Sequence, residues 1–284
     1  MTYFQFKKFI TSALEEVSGE YAAYEAQKIV CHIFGLESLE LSLILREEAP
    51  DKKEEAENII ARRKNGEPLA YILGNVDFFG LNLFVTEACL TPRADTEVIV
   101  EKALDFLGSR KASVLDICTG SGCIALAIAT NSSAKVLGVD ISEAALEVAK
   151  KNAVKCGLSG KVTFCKRDAL AEGFLGGEKY DLIVSNPPYI PTGDIAALSA
   201  EVHREPMLAL DGGEDGLTFY RRFISVLPKH LNPGGAIIFE IGYDQEAGLS
   251  ELCRKASLPC EIFRDYGGNV RGAVIKPSAR EYNL

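Results

Sequence analysis

Apolar residues recur every three to four positions from Phe4 to about Arg63, with almost no alternation of period two. That spacing predicts helices. In "FQFKKFITSALEEV" it places Phe6, Phe9, Ile10 and Leu14 on one side. "YAAYEAQKIVCHIFGL" does the same with Ala23, Ala26, Ile29, Val30 and Ile33, and Gly35 reads as its stop. "SLELSLILREEAP" predicts a shorter helix ended by Pro50, and "DKKEEAENIIARRKNG" a helix capped at Asp51 and reaching Gly66. Residues 1–74 are therefore expected to form a small helical bundle. The run "DFFGLNLFV" then alternates, with Phe78, Phe79, Leu81, Leu83 and Val85 apolar. It predicts a hairpin turning at Gly80-Leu81-Asn82, and 75–92 is expected to be the connection between domains.

The pattern changes again from about Lys111. "SVLDI", "AKVLGVD", "KVTFC", "YDLIVS" and "AIIFEIG" read as buried strands, and "CEIFRD" and "AVIKPS" close the chain the same way. Helical patterns separate them: "SGCIALAIAT", "SEAALEVAKKNAVKCG" with Ser142 as cap, "GLTFYRRFISVLPKHL" and "DQEAGLSELCRKAS". Repeated β-α-β units imply an α/β fold, a Rossmann-like, doubly wound, mostly parallel sheet over 93–284. Such sheets bind ligands beyond the carboxyl ends of their strands, near the point where strand order reverses.

Four features fall at those strand ends. The first strand runs into Asp116-Ile117-Cys118-Thr119-Gly120-Ser121-Gly122, a glycine loop opening a helix. The second ends on Asp140, where an acid accepts hydrogen bonds from a ribose diol. The third ends on Asp168, within reach of a purine amino group. Each acid alone also serves as a cap for the helix or turn that follows. Together with the loop they point to an adenosine ligand. No lysine follows the glycines, which excludes a P-loop. An acid before the loop suits a cation better than a pyrophosphate, so S-adenosylmethionine, with its sulfonium and ammonium, fits.

The fourth strand ends on Asn186-Pro187-Pro188-Tyr189. An Asn-Pro pair closes many turns. Here it also offers chemistry. The Asn186 side-chain oxygen and the Pro187 carbonyl, fixed in direction by the ring, are two acceptors for the two hydrogens of one NH2 group. Its lone pair is then left facing a methyl donor, and the Tyr189 ring shields it from water. This suits a delocalised nitrogen that is a poor nucleophile.

Bulk properties narrow the substrates. The 284 residues are 47% hydrophobic and 25% charged, with a net charge of -9. An acidic chain is poorly suited to holding nucleic acid by its phosphates. Eight cysteines and three histidines form no C-x-x-C pair, so no metal site is expected, and most of the cysteines, which sit in apolar runs, read as small buried apolar groups of a reducing compartment. The start "MTYFQFKKFI" lacks the marks of a signal peptide, and no apolar run is long enough to span a bilayer. A cytoplasmic monomer without membrane contact is the expectation.

"SNPPYI" after "DICTGSG" resembles the amino-methylating class I S-adenosylmethionine methyltransferases. "GEPLAYILG", "TPRADTE", "EVHREPMLALDGGEDGL", "GGAIIFEIGYDQ" and "RDYGGNVRGAVI" narrow the resemblance to the release-factor glutamine methyltransferases, the HemK/PrmC family, over nearly the whole chain. The resemblance implies methylation of the glutamine amide nitrogen in the Gly-Gly-Gln motif of class I peptide chain release factors. Asn186 and Pro187, with Pro188 and Tyr189, would hold the amide. Asp116 and the loop Cys118, Thr119, Gly120, Ser121 and Gly122 would hold the methionine part, Asp140 the ribose, and Asp168 with Ala169 the adenine. The helical domain would dock the release factor. Cys118 stands where the family has glycine, and Ala94 and Asp95 stand where proline and glutamate are usual. A methyltransferase for DNA or another exocyclic amine would use the same four residues, after flipping its base. A non-enzymatic cofactor sensor would leave those four residues without a role. The segment from Pro191 to Asp215 reads as a substrate-covering lid or a long connection, with Glu201 and Glu205 solvated or facing a docked protein.

Overall fold

The computed structural model describes residues 1–277. Two compact units make it up: Met1–Gly74 together with Ser199–Arg204, and Asn75–Leu198 together with the chain from Glu205 onward.

The first unit is built of α1 (Tyr3–Ser18), α2 (Ala22–Phe34), α3 (Ser38–Ile44), α4 (Lys53–Lys64) and α5 (Leu69–Leu73). Phe6, Ile10 and Leu14 of α1 close on Ala26, Ile29, Val30 and Ile33 of α2 and on Ile59 and Ile60 of α4. The helix α1 starts at a capping box between Thr2 and Gln5, and α2 stops on Gly35 in the left-handed conformation. The expected stripe of α2 is buried at Ala26, Ile29, Val30 and Ile33 and differs only at its start, where Ala22 is buried and Ala23 exposed. The short third helix ends at Ile44, not at Pro50. Backbone pairing explains this, because Tyr3 and Phe4 donate to the carbonyls of Glu47 and Leu45, which a longer helix would consume. Lys52, not Asp51, is the cap of α4, although an Asp51 oxygen accepts from Lys53 N at 3.2 Å. Arg63 is buried and doubly hydrogen-bonded to Glu25, and it pairs with Glu201 of the Ser199–Arg204 segment at 3.0 Å.

The second unit begins with β1 (Asn75–Phe78) and β2 (Leu81–Phe84), an antiparallel pair. Its turn lies at Phe79-Gly80, one residue earlier than the alternation predicts. Both carry positive φ, 48° and 77°, as a tight type I′ hairpin requires. The Phe79 N–H donates to Glu97 at 2.7 Å. Phe78 and Leu83 of this hairpin belong to the core of the larger unit.

There follow α6 (Glu97–Leu107), β3 (Ser113–Ile117), α7 (Cys123–Asn131), β4 (Lys135–Asp140), α8 (Glu143–Lys155), β5 (Val162–Lys166) and β6 (Tyr180–Ser185). Then come α9 (Thr218–Val226), β7 (Leu231–Glu240), α10 (Glu246–Lys255), β8 (Cys260–Arg264) and β9 (Val270–Ile275). Pro228 has no N–H to continue α9, which tightens into a 3-10 turn over Leu227–His230. The strand β7 starts before Gly234-Gly235 rather than after them, with a register shift opposite Tyr180 and Leu182. Ser278 of the expected last strand lies outside the described residues.

Seven strands form one sheet in the order β5-β4-β3-β6-β7-β9-β8. The first five are parallel, and β9 runs antiparallel to both its neighbours. Side chains alternate between its faces. Val114, Leu182, Val184 and Ile238 pack on α6 and α7; Leu115, Ile117, Ile183, Ile237 and Phe239 pack on α9 and α10. Burial on both faces is what near-continuous apolar strands require. Strand order reverses between β3 and β6, which opens a crevice beyond Ile117 and Ser185. Among the described residues no helix is long and apolar enough to cross a membrane.

Candidate active site

The crevice holds a hollow of about 220 Å³. Cys118, Gly120, Asp140, Asp168, Ala169, Asn186 and Pro188 line it. Leu90, Val139, Ile141, Leu170 and Phe219 give it apolar walls. Pro187, Tyr189, Asp116, Thr119, Ser121 and Gly122 do not line it; the last four shape the loop that does.

The loop is tied by its acids. Asp116 is fully buried, and its carboxyl accepts from the Thr119 hydroxyl at 2.5 Å. Burial pushes that carboxyl up to about 7. Asp140 accepts from Gly120 N and Ser142 N, each at 2.9 Å, which joins the loop to the tip of β4. Each of its oxygens keeps a further lone pair. Burial raises this carboxyl too. Asp168 accepts from Leu170 N at 2.9 Å in the turn after β5. No side-chain atom could crowd Gly120: a Cβ there would meet nothing within 4 Å, so bare backbone borders open space. Arg167 also lines the hollow but is paired with Glu178, so the acids around open backbone fit a ligand bearing positive charge and a ribose.

Cys118 has φ 60°. This left-handed conformation, which favours glycine, is the physical reason a glycine suits this position. Burial pushes its thiol well above the ordinary range, so it stays a neutral packing group.

Asn186 leaves the end of β6 half-buried, and its Nδ2 donates to Thr96 Oγ1 at 3.4 Å. Tyr189 is clamped by its backbone. Its carbonyl accepts from Gln245 Nε2 at 2.8 Å, and a Cβ on Gly216 would stand 2.3 Å from that oxygen. Burial raises the Tyr189 hydroxyl above its ordinary range. The two departures in "PRADTE" leave Asp95 exposed and paired with Arg271 at 3.0 Å.

Several residues here were not singled out from the sequence. Asn152 is fully buried in α8 and bonds Phe84 N, Phe84 O and Ser121 O, holding the hairpin to the loop. A signal for it existed, since it falls on the apolar stripe of α8. Glu205 is neither solvated nor free: it is buried and accepts from Thr91 N and Arg93. Glu240 is an acid ending an apolar strand, 2% exposed, and Thr96 is equally hidden. Among the described residues no three metal-ligating side chains cluster.

Sheet, loop and strand-end acids define a class I methyltransferase. The chain matches a methyltransferase domain over residues 109–266 and the PrmC N-terminal domain over 7–74. It is 42% identical to the release factor glutamine methyltransferase of Geobacter sulfurreducens over 259 residues, 90% of this chain and 89% of that one. It is 37% identical to the protein of that name from Bacillus cereus, covering 95% and 98% of the two chains. A ribosomal protein L11 methylase from Lactobacillus delbrueckii subsp. bulgaricus shares the fold, with TM-score 0.51 and 22% identity over 68% of this chain and 84% of that one. The chain belongs to the release factor glutamine methyltransferase family.

Proposed function

We propose that this chain methylates the side-chain amide nitrogen of the glutamine in the Gly-Gly-Gln motif of class I peptide chain release factors. The observation that carries the reading is Asn186, which stands at the end of β6 on the wall of the hollow shared by Cys118, Gly120 and Asp140. When bound, S-adenosylmethionine supplies an electrophilic methyl group. Asp140 holds the ribose hydroxyls through its remaining lone pairs, Asp168 and Ala169 border the adenine, and the loop from Cys118 to Gly122 takes the methionine part, with Asp116 behind it.

The Asn186 side-chain oxygen and the Pro187 carbonyl accept the two amide hydrogens. This draws electron density to nitrogen and aims its lone pair. The Tyr189 ring excludes water beside it, and Pro188 closes the hollow. A methylated amide nitrogen sheds its extra proton readily, so no strong base is required. The helical unit docks the release factor; its exposed Leu39 and Leu43, one turn apart, and Tyr21 and Tyr24 offer apolar contacts for that role.

The test is transfer from labelled S-adenosylmethionine to an intact release factor, to the same factor with its Gly-Gly-Gln glutamine replaced, and to duplex DNA. Label is expected on the intact factor alone. Label on DNA would reject the reading. Asn186→Ala is expected to lose roughly 10²-fold or more in kcat while still binding the cofactor in calorimetry.

A further inference from the structure

An asparagine carboxamide has two ends of nearly equal shape. Packing does not choose between them; hydrogen-bond partners do. For Asn186 to present its oxygen to a substrate NH2, its Nδ2 must find acceptors on the protein side. The mechanism above leaves that choice unexplained, and this inference rests on that reading.

Two buried groups answer it. Ser185 pairs with Phe239 across β6 and β7, so the next residues, Asn186 and Glu240, leave the sheet edge side by side. Thr96 accepts from Asn186 Nδ2 through Oγ1. Glu240 carries a carboxyl that the side chains of Thr96 and Asn186 both face. Its Oε2 is buried without a partner, and its own backbone carbonyl is held by the Tyr220 hydroxyl at 2.8 Å.

We propose that Glu240 and Thr96 are positioning residues that set the polarity of the Asn186 carboxamide. A hydroxyl both donates and accepts, so Thr96 alone cannot discriminate. An ionised carboxylate only accepts. Facing it, Thr96 donates its hydrogen to Glu240, which leaves the Thr96 oxygen as an acceptor for Nδ2. The reversed carboxamide would set its oxygen against the carboxylate. Oδ1 is thereby left for the substrate.

The device works only while Glu240 is ionised. Burial pushes its carboxyl up to about 7, against Arg271 of β9, which favours the charge, and Asp95, which opposes it; Tyr189 and Tyr220 face it as neutral phenols. Protonated Glu240 becomes a donor, and the relay loses its direction. Transfer should therefore fall as pH drops through about 7.

The experiment measures kcat on an intact release factor from pH 5.5 to 9, with cofactor affinity followed in parallel. The proteins are wild type, Glu240→Gln, Thr96→Val and Thr96→Ser. Glu240→Gln, neutral at every pH, is expected to lose the acidic limb and to lower kcat at pH 8.5 by about tenfold to 10²-fold, with cofactor affinity unchanged. Thr96→Val should fall likewise, and Thr96→Ser should restore it. Should Glu240→Gln not fold, the Thr96 pair reads the same relay. A Glu240→Gln enzyme with wild-type kcat and limb, or Thr96→Val at full activity, overturns the inference alone. Failure of the wild type to label the factor overturns the reading beneath it as well.

Discussion

Single residues at this site are held in conformations that their own preferences do not choose. Cys118 sits at φ 60° with its side chain against the core, where glycine would rest without strain. A branched β-carbon is the least tolerated group in that region. Cys118→Val should therefore cost about 2 kcal/mol, although valine is as apolar as the thiol it replaces. Thermal denaturation would measure it, and a stability within about 0.5 kcal/mol of wild type would show that the loop relaxes around the side chain. Asp116 shows the same precedence of site over residue. A fully buried acid is raised to about 7, and hydrogen bonds from the Thr119 hydroxyl and the Ala125 N–H offset part of the cost of burying it.

At the scale of elements, the catalytic turn is supported from behind. Residues 186–189 have no regular structure to hold them. Their backbone leans on a second segment: Ile190 N donates to Leu210 O, Gly212 N donates to Ile190 O, and Gln245 reaches the Tyr189 carbonyl. Gly216, at φ 73°, lets this segment approach that same carbonyl. Gly216→Ala would force the two apart. It should destabilise by about 3 kcal/mol and reduce methyl transfer more than cofactor affinity, because Gly216 itself does not line the hollow. Parallel calorimetry and transfer assays separate those outcomes; equal losses in both would place Gly216 in the fold of the whole sheet. The sequence pattern "ALDGGEDGL" marks this stretch as unusual, but not which backbone it touches.

At the scale of the molecule, one chain builds two units and returns to the first at Ser199–Arg204. Within the helical unit, Arg63 joins this returning segment to α2 through Glu201 and Glu25. Glu25 is 8% exposed, so removing its partner strands a buried charge. Arg63→Ala should lower the protection of amides in α1, α2 and α4 by about 3 kcal/mol in hydrogen exchange, with strands β3 and β6 unaffected. Uniform loss across the chain would mean that both units open together.

The order of elements, the α/β class, and the placing of Asp140, Asp168 and Asn186 at strand ends were legible in the residues, because periodicity and strand-end chemistry are local properties. The family was legible in the same way, from runs such as "SNPPYI" and "TPRADTE". What stayed hidden depends on contacts between distant segments. Pro50 does not end its helix, since the N-terminus, some 45 residues away, takes the carbonyls first. Glu205 reads as a surface charge until Thr91 and Arg93, 114 and 112 residues before it, surround its carboxylate. Glu240 and Thr96 meet Asn186 only after β6 and β7 pair and α6 packs over their ends. Pattern along a chain records which face a residue turns; which partner waits there is set by the folding of the sheet, because hydrogen bonds and close approaches are decided in space over a few ångströms.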